Sequence, residues 1–166
     1  MIQKIRKLLG RVILALLPYR TYDLLIAVPR HTTYEDPKCP SRWKGSGCYD
    51  IDLYGWQYFH LKVCARTELE VLDAFRTHQE SLYKETYKDT FERYKEYSFA
   101  ESSAREHAED ASYADCEILA VIPCPENDGL TPLHVEECKS HASDWSSSED
   151  ECLLEDALKF FNLKLA

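Results

Sequence analysis

Over residues 51–63 apolar and polar positions alternate. Ile51, Leu53, Phe59, Leu61 and Val63 fall on one side, and Tyr54, Trp56, Tyr58, His60 and Lys62 on the other. A period of two is the mark of a half-buried strand. Gly55 interrupts the run and predicts a bulge, a bend or a hairpin split. Residues 22–29 form a shorter apolar run closed by Pro29, which reads as a buried strand. Residues 115–123 are apolar enough for a third, central strand. Residues 30–49, with Pro37, Pro40 and Gly45-Ser46-Gly47 and few aliphatics, read as a long irregular loop.

The period changes to helical after Ala65. Thr67 with Glu70 forms a capping box. Leu69, Leu72, Phe75 and Leu82 begin a stripe that Tyr83, Tyr87, Phe91, Tyr94 and Tyr97 prolong with aromatic rings. The predicted helix covers 67–97, over about 40 Å at 1.5 Å per residue. A small domain cannot cover that length, so the aromatic half is expected to project, dimerise with a second copy, or fold back near Ser98. Ser103 with Glu106 reads as a second capping box, opening a helix to Ala111. Thr131-Pro132 predicts a helix ending near His141, with Thr as N-cap and Pro at the first helical position. An amphipathic helix is expected over 150–163. Residues 1–17 carry Ile2, Ile5, Leu9, Val12, Ile13 and Leu16 at helical spacing with Lys4, Arg6, Lys7 and Arg11, a basic amphipathic helix stopped by Pro18.

Together these elements predict an α+β fold. The expected sheet is small and mixed, of three to four strands, with helices on one face and one long central helix. The helix between the second and third strands favours a parallel, right-handed crossover there. The expected organisation is an N-terminal helix, 1–17, followed by a single domain, 18–166.

Composition sharpens the functional side. The chain has 166 residues and a formal net charge of −9. Residues 1–100 hold 16 Lys/Arg against 13 Asp/Glu, while residues 101–166 hold 4 against 16. Such asymmetry concerns partners, since the summed field decides which surfaces approach. It argues against direct nucleic-acid binding, as does the lack of a basic patch. Seven cysteines without a tight pair do not resemble a disulfide scaffold, and a reducing, cytoplasmic setting is expected.

Three function classes follow. In the first, the protein is a non-enzymatic interaction protein whose acidic C-terminal third binds a basic protein partner. Nucleic-acid-handling proteins carry such surfaces because they neutralise phosphates, and an inhibitor of a nuclease or defence complex, of viral or mobile-element type, fits this character. The contact residues expected are Glu106, Glu109, Asp110, Glu136, Glu137, Asp144, Glu149, Asp150 and Glu151, with Tyr87, Phe91 and Tyr94 as apolar anchors. In the second class, residues 1–17 attach to an anionic membrane surface; packing on the domain is the plainer use of that helix. The third is a small zinc-binding domain or enzyme. On a helix, His134, Cys138 and His141 would share a face and Cys124 would complete a tetrahedral set; a helix with a buried Cys138 and exposed histidines is the plainer reading.

Weaker sets complete the reading. Tyr54, Trp56 and Tyr58 could stack bases or simply pack beneath a helix. His31, Cys39 and Cys48 lack any nucleophile signature, and Asp50 and Asp52 could flank a divalent ion or stand as solvated edge charges. Ser146, Ser147 and Ser148 each precede an acidic residue by three positions, as acid-directed kinases require. No glycine-rich phosphate loop, GxSxG or HExxH occurs.

Overall fold

A computed structural model describes residues 13, 15–40, 42, 44–45, 50–125, 129–144 and 153–164. Its strands are β1 (Arg20–Glu35), β2 (Asp50–Ala65), β3 (Glu117–Pro123) and β4 (Val135–Ala142). The helices are α1 (Glu68–Tyr94), α2 (Ala100–Ala111) and α3 (Leu153–Phe161). The fold is α+β, built on a four-stranded sheet of order β3-β1-β2-β4.

Every pairing is antiparallel, which corrects the mixed sheet expected from the sequence. The segment after α2 returns to the free side of β1 instead of crossing over to lie beside β2. β1 and β2 pair without interruption from Arg20↔Ala65 to Glu35↔Asp50, so Gly55 marks neither a bulge nor a break. β1 also runs well past Pro29, into what reads as loop. β3 ends at Ala27↔Glu117, so beyond that point β1 has a neighbour on one side only. A proline there removes no ladder bond, as at any sheet edge. Residues 28–35 and 50–56 thus form a two-stranded ribbon reaching past both outer strands.

Two cores lie on opposite faces of the sheet. Tyr22, Leu24 and Ile26 of β1 join Leu61 and Val63 of β2 beneath Val71, Ala74 and Phe75 of α1. On the other face Leu25, Ala27 and Tyr58 join Ile122 beneath Ala157 and Phe161 of α3. Helices therefore cover both faces, not one. Seven consecutive β1 residues, 21–27, are buried because that stretch is central and covered on both sides.

α1 begins as the sequence predicts. Thr67 Oγ1 accepts from the Glu70 N–H at 3.2 Å, and Glu70 Oε2 accepts from the Arg66 N–H at 2.9 Å. Its first half lies on the sheet. In its second half Thr90 alone is buried, and there α1 is covered by α2, which turns back along it. Ala100, Ala104 and Ala108 are the buried residues of α2. Spaced by four, they form one smooth stripe on which helix backbones approach closely. α2 starts three residues before Ser103, so Ser103 is not its cap; Phe99 occupies that position with no side-chain bond.

Both α2 and α3 close with a left-handed residue, and α3 has the paired bonds of a Schellman motif, of which α2 shows the longer one, Ala114 N–H to Glu109 O, 3.3 Å. At α3 the pair is Leu163 N–H to Leu158 O, 2.9 Å, and Asn162 N–H to Lys159 O, 3.3 Å. At α2 the left-handed residue is Tyr113, with φ of 55°. The strain places its ring in the core against Phe59, with centroids 4.8 Å apart, and its hydroxyl donates to Glu137 Oε2 at 2.7 Å.

The segment expected to be a helix over 131–141 is instead the edge strand β4. Only Val135 of its eight residues is buried, and its polar sequence has no period to reveal it.

Candidate functional site: an acidic helical hairpin

The hairpin of α1 and α2 gathers part of the predicted acidic set. On α2 the buried alanines define the inward side. At 100° per residue, Glu106, Glu109 and Asp110 fall within one arc opposite them, and all three are exposed. Arg105, the cation of this helix, is drawn aside by Glu101 at 3.6 Å. The outer surface of α2 therefore carries three exposed carboxylates, with Ser102 among them and Arg105 at their margin.

At the tip, where α1 passes into α2, Tyr94, Tyr97 and Phe99 form a cluster. Tyr97 and Phe99 have centroids 5.1 Å apart, and Tyr94 and Phe99 5.8 Å. Tyr97 is 59 % exposed and Phe99 49 %. Along α1, Tyr83, Tyr87 and Phe91 stack in sequence at 6.2 and 6.1 Å. Of the predicted anchors, Tyr87 and Tyr94 are half-buried and Phe91 is exposed. Tyr97 and Phe99, the most exposed rings of the tip, are not among those anchors: Tyr97 continues the predicted stripe but lies past the end of α1, and Phe99, a turn residue, carries no periodic signal.

The remaining carboxylates lie elsewhere. Glu136 stands opposite Lys62 on β2. Glu137, on the other face of β4, accepts from Tyr113. Asp144 is exposed just beyond β4. Glu149, Asp150, Glu151 and the serines 146–148 lie outside the described residues. The acidic residues thus divide between α2 and the β4 edge.

The predicted zinc set loses its helical premise. His141 packs against Phe160 of α3, with ring centroids 3.9 Å apart, whereas His134 lies just before β4 and close enough to His78 of α1 to hold its pKa down, so the two histidines sit toward opposite faces of the sheet. A register shift between His60 and Leu61 leaves Cys138 as the extra residue of a bulge. Cys124 lies at the end of β3, on the opposite edge of the sheet from β4. Among the described residues no group of three or more His, Cys, Asp or Glu side chains is placed to hold a metal ion. Asp52 is instead engaged with Thr33 and His31, and Asp50 pairs across the ribbon with Glu35.

Cysteine chemistry finds no activated thiol among the shifted groups. Burial pushes the Cys39, Cys64 and Cys116 thiols up, and Glu35 adds to this at Cys39. Reactive cysteines need the opposite shift. No disulfide links the described cysteines; Cys48 and Cys152 lie outside the described residues.

Two polar features were not read from the sequence. The first is a buried pair on the α3 face: His60 Nε2 lies 2.7 Å from Asp23 Oδ1, both side chains under a tenth exposed. The second is His78 on α1. Burial, and secondarily His134, hold it below the ordinary histidine value of 6.5, while Glu85 and Glu137 pull weakly the other way. In the unfolded chain His78 takes its proton at the ordinary value, and in the folded chain only at lower pH. The unfolded state binds more protons in that window, so stability falls as pH drops through about 6.5. His78→Gln should lose less stability than the parent between pH 7.5 and 5.5, compared by urea midpoints. Identical losses would show that His78 contributes nothing.

No protein family, curated protein or solved structure matches the chain in comparisons of sequence and structure. No described helix is long and apolar enough to cross a membrane. The predicted helix over 1–17 lies largely outside the described residues; at its end Ile13 and Leu16 are exposed.

Proposed function

We propose that this protein is a non-enzymatic interaction protein that docks the α1–α2 hairpin against a basic surface of a partner protein. The observation carrying this reading is the outer side of α2, where Glu106, Glu109 and Asp110 share one exposed arc above a stripe of buried alanines. Such an element has a dedicated inward side for packing and an outward side that is predominantly acidic. The exposed aromatic tip supplies what charge alone lacks. Carboxylates steer the approach and set specificity, while clustered rings at the centre of a contact contribute most of the affinity. A partner of this charge is typical of nucleic-acid-handling proteins. Covering its phosphate-binding surface would inhibit it, which makes inhibition of a nuclease or defence complex the expected activity.

The test is capture from source-cell lysate on immobilised protein, repeated with Glu106→Lys/Glu109→Lys/Asp110→Lys. The parent should retain a basic protein at low salt and release it as salt rises, because the screening length shrinks from about 10 Å at 0.1 M to about 3 Å at 1 M. The triple variant should fail to retain it while keeping the parent's melting temperature, since all three side chains are exposed. A partner held equally by the variant would move the interface away from α2.

A further inference from the structure

We propose that the β1–β2 ribbon carries a binding slot for a small molecule with a planar aromatic ring, between Trp56 and Tyr54. A cavity of about 460 Å³ sits there, bordered by Pro29, Arg30, His31, Tyr54, Gly55 and Trp56. This falls within the range of about 300–1,000 Å³ usual for small-molecule sites.

The unbroken register explains the shape. Pro29 stands opposite Trp56, and His31 opposite Tyr54. Both pairs fall on the same face of the ribbon, two residues apart, so the pleat sets Trp56 with Pro29 on one side of the slot and Tyr54 with His31, their rings tilted by 34°, on the other, and Trp56 also touches the core beneath α3. Side chains two residues apart on a strand stand about 6.8 Å from each other. That is close to twice the carbon–carbon contact distance of about 3.5 Å, so the gap matches the thickness of one ring stacked on both sides.

The backbone beneath the slot is held before any ligand arrives. The Trp56 backbone N–H donates to Ser143 Oγ at 2.8 Å, and the Trp56 carbonyl accepts from the Ser143 N–H at 2.8 Å. The Tyr54 ring rests on the His31 ring, with centroids 5.1 Å apart. His31 Nε2 lies 3.3 Å from Asp52 Oδ1, which also accepts from Thr33 Oγ1 at 2.9 Å. A site held in this way loses little conformational freedom on binding.

The surroundings decide among ligands. An aromatic box also suits an organic cation, but rings set at the spacing of the pleat stack on a flat ring better than on a tetrahedral ammonium, and the nearby charge is mixed, with Asp52 on the face of Tyr54 and Trp56 and Arg30 alternating to the other. A single strand of nucleic acid needs successive exposed rings. Tyr58, the next aromatic residue of the row, is fully buried beneath α3. One planar ring is what remains.

The test is a titration of the ¹⁵N-labelled full chain, followed by NMR, with adenosine, indole-3-acetate and tetramethylammonium as probes. Adenosine or indole-3-acetate should give saturable shifts at the Trp56 indole N–H and at the His31, Tyr54 and Gly55 amides. Tyr54→Ala should weaken that binding by about fivefold or more, and Tyr54→Phe should preserve it. His31→Ala, on the exposed side of the same wall, serves as the weakening variant should Tyr54→Ala not fold. Failure of both planar probes to saturate, saturation by tetramethylammonium alone, or undiminished binding to the alanine variant would overturn the slot.

Discussion

Asp23→Ala should lower the unfolding free energy by about 3 kcal/mol. Asp23 and His60 lie on the sheet face that α3 covers, and each side chain is under a tenth exposed. The carboxylate is the partner of His60 Nε2. The other ring nitrogen, Nδ1, is buried with no hydrogen-bond partner among the described residues. Removing the carboxylate leaves the whole imidazole without a partner in a closed interior, and the desolvation cost of the ring is then uncompensated. The pair itself need contribute little net stability, because two polar groups were taken out of water to form it. Replacing both by apolar residues suited to a strand, Asp23→Val with His60→Leu, should therefore recover most of what the single change loses. The loss should also loosen α3. Phe161 packs on His60, with centroids 5.6 Å apart, and a helix of nine residues does not persist without its tertiary contacts. Urea denaturation of the parent, the single variant and the double variant decides the matter. A single-variant cost under about 1 kcal/mol, or a double variant as weak as the single one, would refute the account.

That pair also shows where the sequence is silent. Asp23 sits inside an apolar run and His60 in an alternating one, and nothing local indicates that β1 and β2 bring them together. What is legible is whatever burial imposes on one element alone. The alternation of β2, the capping box at Thr67 and the long stripe of α1 all survive into the fold, and so does the α+β class. What is not legible depends on neighbours. β4 carries one buried residue, and its Thr131-Pro132 opening suits a helix start better than a strand. Pairing to β2 overrides that local preference, and it takes the His134, Cys138 and His141 spacing with it. Pro29 reads as a strand end because a central strand excludes proline. It is accommodated because β3 stops short and leaves that side of β1 open. The direction of β3 is likewise a tertiary choice: a helical connection permits a parallel crossover but does not require one. The acidic face of α2 is read in part, since Glu106, Glu109 and Asp110 follow from helical spacing. Glu136 and Glu137 belong with them by position in the acidic C-terminal third alone, and on a strand consecutive residues face opposite ways.

Ala104→Leu should cost about 1–3 kcal/mol and should remove partner capture without changing one charge. Ala104 is fully buried at the middle of the α2 stripe, in a seam whose other side is the second half of α1. Three added carbon atoms have no room there unless the helices separate. α2 has twelve residues and packs on α1 alone among the neighbouring helices and strands with substantial contact, so the damage should be local. Hydrogen exchange should show the α2 amides losing protection while those of β1 and β2, between the two cores, retain theirs. Separation of the helices also disperses the tip rings and releases the Glu106, Glu109 and Asp110 arc from its fixed orientation. If the proposed docking depends on a rigid, charged hairpin, Ala104→Leu and the triple lysine variant should fail alike, the first through geometry and the second through charge. Thr77→Ala, exposed on the first half of α1 where it faces neither α2 nor the tip, should leave both protection and capture intact. Full capture by Ala104→Leu, together with lost α2 protection, would mean that the hairpin is not what the partner recognises.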